Sequence, residues 1–188
     1  MERAPKKYEE YAYVLDDLPH GRRGAPRSSY HGRAVIQMVG ETYFTLLEAV
    51  PRDDSTFDIQ ERIYVGKKGR TKVEHILGRI TYGELTSAAK AELLVTVETI
   101  VRADEDRFVA FFNDSQPLTP RMHAMELIPG IGKRLMWQIL DARERVPFGT
   151  YEDLRKRVNI TDPVKLLVRR VMNELSQDEK YKIFVRPA

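Results

Sequence analysis

The sequence predicts an α+β protein, with a small antiparallel β-barrel at residues 1–80 and a helical region at residues 81–188. Three observations predict it. Short strand-like runs separated by turn residues occupy residues 11–66. Beyond residue 81 the apolar residues recur at helical spacing. The stretch "LIPGIGKRLMWQIL" (Leu127–Leu140) then places a proline and two glycines in front of Lys133, Arg134 and an apolar helical run.

The elements follow in order. "YAYVLDD" (11–17) opens with aromatic and β-branched residues and reads as a strand. "RAVIQMVG" (33–40) and "TYFTLLEAV" (42–50) are strand-like runs separated by Gly40-Glu41, a hairpin signal. "PRDDS" is a turn, and "ERIYVG" (61–66) is a short strand with Ile63 and Val65 on one face. Several short strands in so little chain suggest a barrel. "VEHILGRI" (73–80) stays open between strand and helix: Val73, Ile76, Leu77 and Ile80 have helical spacing, whereas the β-branched residues and Gly78 favour a strand.

"TYGELTSAAKAELLVTVETIV" reads as a helix from Thr81, with Thr81 and Glu84 at capping-box spacing. "DEDRFVAFF" starts a second helix, with acids in its first turn and Phe108, Phe111 and Phe112 as core residues. Thr119-Pro120 then has the form of an N-cap followed by proline at the first helical position. The expected helix runs through "RMHAMELI" to Pro129, and the next helix carries Leu135, Met136, Ile139 and Leu140. The first helical hairpin therefore spans 119–145. A second, degenerate copy spans 150–175: "TYEDLRKRV" capped by Thr150, the loop "NITDP", and a helix begun by Asp162-Pro163. "YKIFVRP" is expected to be a strand.

Charge is unevenly spread. Residues 1–118 hold 17 Lys/Arg and 19 Asp/Glu, whereas residues 119–175 hold 11 and 7. Two acid-free basic stretches stand out in the first part: "HGRRGAPRSSYHGR" (His20–Arg33) and "GKKGRTK" (Gly66–Lys72). Basic clusters suit a polyanionic partner, and they equally suit solvated loops. The chain has no cysteine, so disulfides, thiolate metal sites and cysteine nucleophiles are excluded. No apolar run approaches the ~20 residues of a membrane span. Residues 1–7 lack the apolar segment of a secretory signal, so a cytoplasmic protein with no membrane partner is expected.

The turn has a physical use. A helix N-terminus presents unpaired N–H groups and the positive end of the helix dipole. Glycines allow a phosphate to approach the backbone closely. Ile131 is expected to be buried between helices, leaving the N–H groups of Gly130, Gly132 and Lys133 as donors, with Lys133 and Arg134 adding charge. A plain interhelical turn that binds nothing is the alternative.

"ELIPGIGKRLMWQILDARERVPFGTYEDLRKRV" resembles a helix–hairpin–helix module, which grips nucleic-acid backbone without reading sequence. "PFGTYEDL" (Pro147–Leu154) resembles the lead into the second unit of tandem versions. "NITDP" departs from the pattern by lacking glycine, so that loop is expected to be a structural partner and not a second clamp. Over nearly its full length the chain also resembles an archaeal family of unknown function, numbered six-five-five among such domains. The segments that carry this are "YAYVLDDLP", "ETYFTLLEAVP", "ERIYVGK", "YGELTSAAKAEL", "NDSQPLTPRMHAMELIPGIGK", "DPVKLLVRRV" and "KIFVRP". The resemblance implies nucleic-acid binding, RNA more than DNA, with an oligonucleotide-binding type of barrel ahead of the hairpins.

Some DNA glycosylases and nucleases carry the same hairpin, but catalytic groups do not converge in this sequence. The lyase-type enzymes place a lysine two positions after the second glycine, where this chain has Arg134. Asp153 and Asp162 read as helix caps. His20, His31, His75 and His123 lack metal-ligand spacing, and His123 is expected to be a plain surface or half-buried histidine on a helix. Neither a Walker loop nor a dinucleotide fingerprint is present. The expectation is therefore a protein without catalytic activity, cofactor or metal. It would bind nucleic acid through Gly130, Ile131, Gly132, Lys133 and Arg134, with a second contact from Arg22, Arg23, Arg27, Lys67, Lys68 and Arg70. The competing reading is an adaptor docking on ribosomal or transcription proteins, and a DNA repair factor is the third. Phosphate contacts carry no sugar or sequence information, so the residues themselves do not separate RNA from DNA.

Overall fold

The structure, a computed structural model, describes residues 8–21 and 33–186. Alternating apolar residues build a five-stranded sheet from β1 (Tyr11–Leu18), β2 (Val35–Gly40), β3 (Leu46–Pro51), β4 (Arg62–Tyr64) and β5 (Val73–Arg79). Its order is β4-β1-β2-β3-β5, with every neighbouring pair antiparallel. The sheet curls into a half-barrel and does not close: β4 and β5 are its edges. A three-residue β4 offers too short an edge to complete a ladder. Lys72 spans the gap instead, its Nζ donating to Glu61 Oε1 at 2.5 Å and to the Thr56 carbonyl at 2.9 Å.

Period-two alternation puts Ala12, Val14, Ile36, Met38, Leu47, Ala49 and Ile63 on one face, where they form a core with Val65 and Val73. The opposite face carries a buried polar link to the first helix. Gln37 donates to Glu48 Oε1 at 2.8 Å and to the Glu84 carbonyl at 3.1 Å, and its Oε1 accepts from the Thr86 N–H at 2.9 Å. The β2–β3 turn is finished by Glu9, which is buried. Its carboxylate accepts N–H bonds from Thr42, Tyr43 and Thr45 at 2.9, 3.0 and 3.1 Å. This clamp holds Phe44 at φ 51° with its ring fully buried.

"VEHILGRI" resolves as strand β5. Gly78, at φ 153°, lies where the β3–β5 register shifts, a conformation that suits glycine. The first helix, α1 (Ser87–Ala103), starts later than Thr81. Glu84 accepts from the Thr81 N–H and hydroxyl, but it closes a single 3-10 turn at Tyr82–Glu84. Thr86 is the cap that starts α1, its Oγ1 accepting from the Ala89 N–H at 2.9 Å.

The chain forms two compact units, Met1–Thr96 with Phe184–Ala188, and Val97–Ile183. The second unit contains α2 (Glu105–Asp114), a two-stranded ribbon of β6 (Pro117–Thr119) and β7 (Met122–His123), then α3 (Lys133–Arg145), α4 (Tyr151–Arg157) and α5 (Pro163–Ser176). Phe108 and Phe112 are buried in α2, and Phe111 is half-buried. The helix expected from Thr119 to Pro129 is replaced by the β6–β7 ribbon and a 3-10 turn at Ala124–Leu127. Thr119 does not act as an N-cap: its Oγ1 takes the Arg121 N–H at 3.3 Å while its backbone pairs with Met122. "YKIFVRP" is likewise no strand, although the Arg186 N–H donates to the Tyr43 carbonyl at 3.1 Å. Among the described residues, no helix is long and apolar enough to cross a membrane.

Candidate nucleic-acid interface

The turn before α3 is built from four residues with distinct tasks. Ile128 and Ile131 face inward, at 1% and 3% exposure. The Ile131 N–H returns to the Ile128 carbonyl at 3.0 Å, so it is not available to a ligand. Gly130 adopts φ 100°, and a Cβ there would lie 3.1 Å from Cδ2 of Leu166 on α5. Gly132 is the N-cap of α3 at φ −87° and ψ 176°, with open space where a side chain would be. No side chain caps α3. Among the described residues, the N–H groups of Gly130 and Gly132 have no partner. Lys133 and Arg134 are exposed and form no ion pair with a described residue.

The second hairpin differs in this respect. Thr150 Oγ1 accepts from the Asp153 N–H at 3.0 Å, and Asp162 Oδ1 accepts from the Lys165 N–H at 3.0 Å. Both helix starts are thus closed by their own side chains. Asp153 also accepts from the Gly149 N–H at 3.1 Å and from Arg157 at 2.9 Å. Leu166 instead supplies the wall on which Gly130 packs. The turn is tied from behind by Arg170 of α5, whose Nη1 donates to the Leu127 carbonyl at 3.1 Å.

Gly130, Ile131, Gly132, Lys133 and Arg134 therefore sit together in one turn of the second unit. Lys67, Lys68 and Arg70 belong to the first unit, between β4 and β5. Lys68 is exposed, and Lys67 lies over the Tyr8 ring with its Nζ 4.2 Å from the centroid. Arg70 holds its own loop, with Nε donating to the Gly66 carbonyl at 2.6 Å. Arg22, Arg23 and Arg27 lie outside the described residues.

Two features beside the turn were not singled out from the sequence. A groove of about 490 Å³ runs between α3 and the β6–β7 ribbon, bordered by Lys133 and Trp137. A second cleft of about 700 Å³, between α3 and α4, is lined by Arg145, Arg155, Lys156 and Arg157. There Arg145 pairs with Asp141 and Arg155 with Glu152, so its charge is partly answered. Trp137 had a legible signal: it follows Lys133 by four residues and falls beside the apolar stripe of Met136 and Ile139.

His123 lies at the end of β7 and not on a helix, because the expected helix is a ribbon there, and it is buried. It is 6% exposed and caps the 3-10 turn, with Nδ1 accepting from the Met125 N–H at 3.2 Å. Burial, together with the Arg143 charge, holds its imidazole below the ordinary value of 6.5, against the opposing pull of Glu126 and the Ser115 backbone. An unfolded chain then takes up a proton that the folded imidazole resists. The stability this gives is present above pH 6.5 and is lost as the pH falls. The melting temperature should therefore drop between about pH 7.5 and about pH 5.5. His123→Asn, which keeps a capping acceptor, should show a shallower drop. Identical pH profiles for the two proteins would place the acid sensitivity elsewhere.

Among the described residues, a curled five-stranded antiparallel sheet and five α-helices define an α+β protein. The chain belongs to the DUF655 family, a family of proteins of unknown function whose model matches residues 8–186. It is 40% identical over 184 residues to an uncharacterized protein of Methanocaldococcus jannaschii, a match covering 97% of this chain and 82% of that one. It is also similar to the crystal structure of Af1531 from Archaeoglobus fulgidus, of the same family. The TM-score is 0.83 at 42% identity, over 95% of this chain and 100% of that one. Among the described residues, no group of three or more His, Cys, Asp or Glu is placed to hold a metal ion.

Proposed function

We propose that this protein binds nucleic acid by its phosphate backbone, with RNA as the favoured ligand, through the Pro129–Arg134 turn. One observation carries the reading: the N-terminus of α3 has no side-chain cap, a glycine with open space above it, and two cations directly behind that pair with no described residue. A phosphate there would accept N–H bonds from the helix start and meet the positive dipole end. The arrangement is that of a helix–hairpin–helix whose first arm has shrunk to a 3-10 turn. The second hairpin, capped by Thr150 and Asp162, acts as its structural partner. The half-barrel serves as an oligonucleotide-binding type of platform, with Lys67 and Lys68 as a second contact. The protein acts as a binder and not as a catalyst, since Asp153 and Asp162 are engaged as helix-start acceptors.

Changing Lys133 and Arg134 together to glutamine tests the reading. Affinity for labelled RNA and DNA should fall by a similar factor for all sequences. The slope of log affinity against log salt should shrink by about one per lost phosphate contact. The melting temperature should hold, because neither side chain pairs with a described residue. Salt-independent binding unchanged by the double substitution would favour a protein-docking adaptor instead.

A further inference from the structure

α3 buries Met136 and Ile139, yet leaves Trp137 64% exposed. A bare indole is a large apolar surface left in water, and it is the sole tryptophan of the chain. It stands four residues after Lys133, so about 6 Å farther along the helix and on the same face. Beside it runs the 490 Å³ groove, walled by Met136 and Leu140 of α3 and by Pro117, Pro120 and Met122 of the ribbon. Exposed Arg121 and Lys133 stand on its border.

Polar groups mark the groove's inner side. His123 lines it and is more than nine-tenths buried. Because Nδ1 accepts from the Met125 N–H, Nε2 carries the proton, and that Nε2 has no hydrogen-bond partner. The Ser115 backbone lies close to the ring without reaching hydrogen-bonding geometry. Half-buried Glu126 lines the same groove, with one carboxylate oxygen accepting from the His123 N–H at 2.9 Å. A carboxylate repels phosphate, so the groove itself does not suit backbone. The cationic mouth suits phosphate, and the groove suits a flat, apolar-faced group with polar edges.

We infer that this groove receives one unstacked nucleobase of a single-stranded nucleic acid, lying against Trp137 while its own phosphate sits at Gly132 and Lys133. The inference rests on the backbone-binding reading above and narrows its ligand. In a duplex the bases are paired and their faces covered, so only a single strand, loop or flipped base can reach Trp137. The Glu126 carboxylate on the groove's lining is an acceptor that the N–H donors of a base edge can meet. Stacking is sequence-tolerant, since every base has a π-face.

The test uses the full chain, whose single tryptophan makes its fluorescence a report on position 137 alone. Three probes are titrated: an unstructured single-stranded RNA of about 12 nucleotides, the matching blunt duplex, and inorganic polyphosphate, which carries charge without bases. Anisotropy of labelled strands reads affinity separately. The single strand should quench the emission and polyphosphate should not. Trp137→Ala should weaken single-strand binding by about 5- to 100-fold and duplex binding by less than about twofold. Trp137→Phe should keep most of the affinity, and neither variant should shift the melting temperature, given the exposure of the ring. Single-strand binding without quenching, unaffected by Trp137→Ala, would overturn the base site while leaving the backbone grip standing. Equal quenching by polyphosphate would also overturn it. If no nucleic acid binds and the emission responds only to an amphipathic peptide, both readings fall and the groove is a protein-docking surface.

Discussion

Replacing Glu174 with alanine is expected to destabilise the protein by about 3–5 kcal/mol, the cost of leaving one member of a buried ion pair alone. Glu174 is fully buried and Arg170 is 3% exposed, and they meet at 2.7 Å across one turn of α5. The pair is a junction. Arg170 reaches the Leu127 carbonyl just ahead of the glycine turn, the Tyr181 carbonyl, and the Glu179 carboxylate at 3.5 Å. Glu174 Oε1 accepts the Ile183 N–H at 2.8 Å. Without Glu174 a guanidinium stays buried with less counter-charge, and the strut behind the Leu127–Gly132 turn loses its anchor. Denaturant unfolding reads the stability, and RNA titration below the transition reads the turn. The double variant Arg170→Met with Glu174→Leu should recover part of the loss, because no charge is then stranded. A loss below about 1 kcal/mol for Glu174→Ala would mean that water reaches the pair.

The two glycines of the turn are expected to fail in opposite ways. Gly130→Ala forces a side chain into φ 100° and toward Leu166 at 3.1 Å, a cost of about 1–3 kcal/mol. Gly132→Asp meets neither obstacle, since φ is −87° and the space is open. Aspartate is a favoured N-cap and lies at the positive end of the dipole, so stability should rise by a few tenths to about 1 kcal/mol. The same carboxylate would occupy the position proposed for phosphate, so nucleic-acid affinity should fall by at least about tenfold. A more stable protein that binds worse separates a ligand site from a structural turn. If Gly132→Asp leaves binding intact, the turn has no phosphate in it.

The sheet was largely legible because its physics is local. Strand-prone residue types mark 11–17 and 33–40, and the spacing of Ile63 and Val65 puts both on the inner face, although β1 and β2 are buried on both sides and their residues do not alternate. β5 resisted because Val73, Ile76, Leu77 and Ile80 satisfy helical spacing as well, and only pairing with β3 decides. The missing helix before the turn shows the limit of capping signals. Thr119-Pro120 has the right form, but the Thr119 hydroxyl closes a local turn and its backbone joins a ribbon. The turn was readable because few residue types tolerate φ 100° at Gly130. Trp137 left only its i,i+4 spacing from Lys133 as a signal, because periodicity identifies what a helix buries and is silent on what it leaves exposed. Arg170 and Glu174 illustrate the same blindness from the other side. Their i,i+4 spacing matches that of surface pairs such as Arg145 and Asp141, and burial alone separates the two.

The return of residues 184–186 to the first unit has a consequence for the order of events during synthesis. Residues 8–96 emerge first and contain every strand of the sheet. Yet the β2–β3 turn receives its Arg186 N–H bond at the Tyr43 carbonyl, and the Arg186 guanidinium over the Tyr43 ring, only after the whole helical unit has been made. The earlier-made unit is therefore finished last. Until then the turn has Glu9 and the Gly40–Thr45 backbone bond but lacks its C-terminal tie, and completion of the first unit reports that the second has been translated.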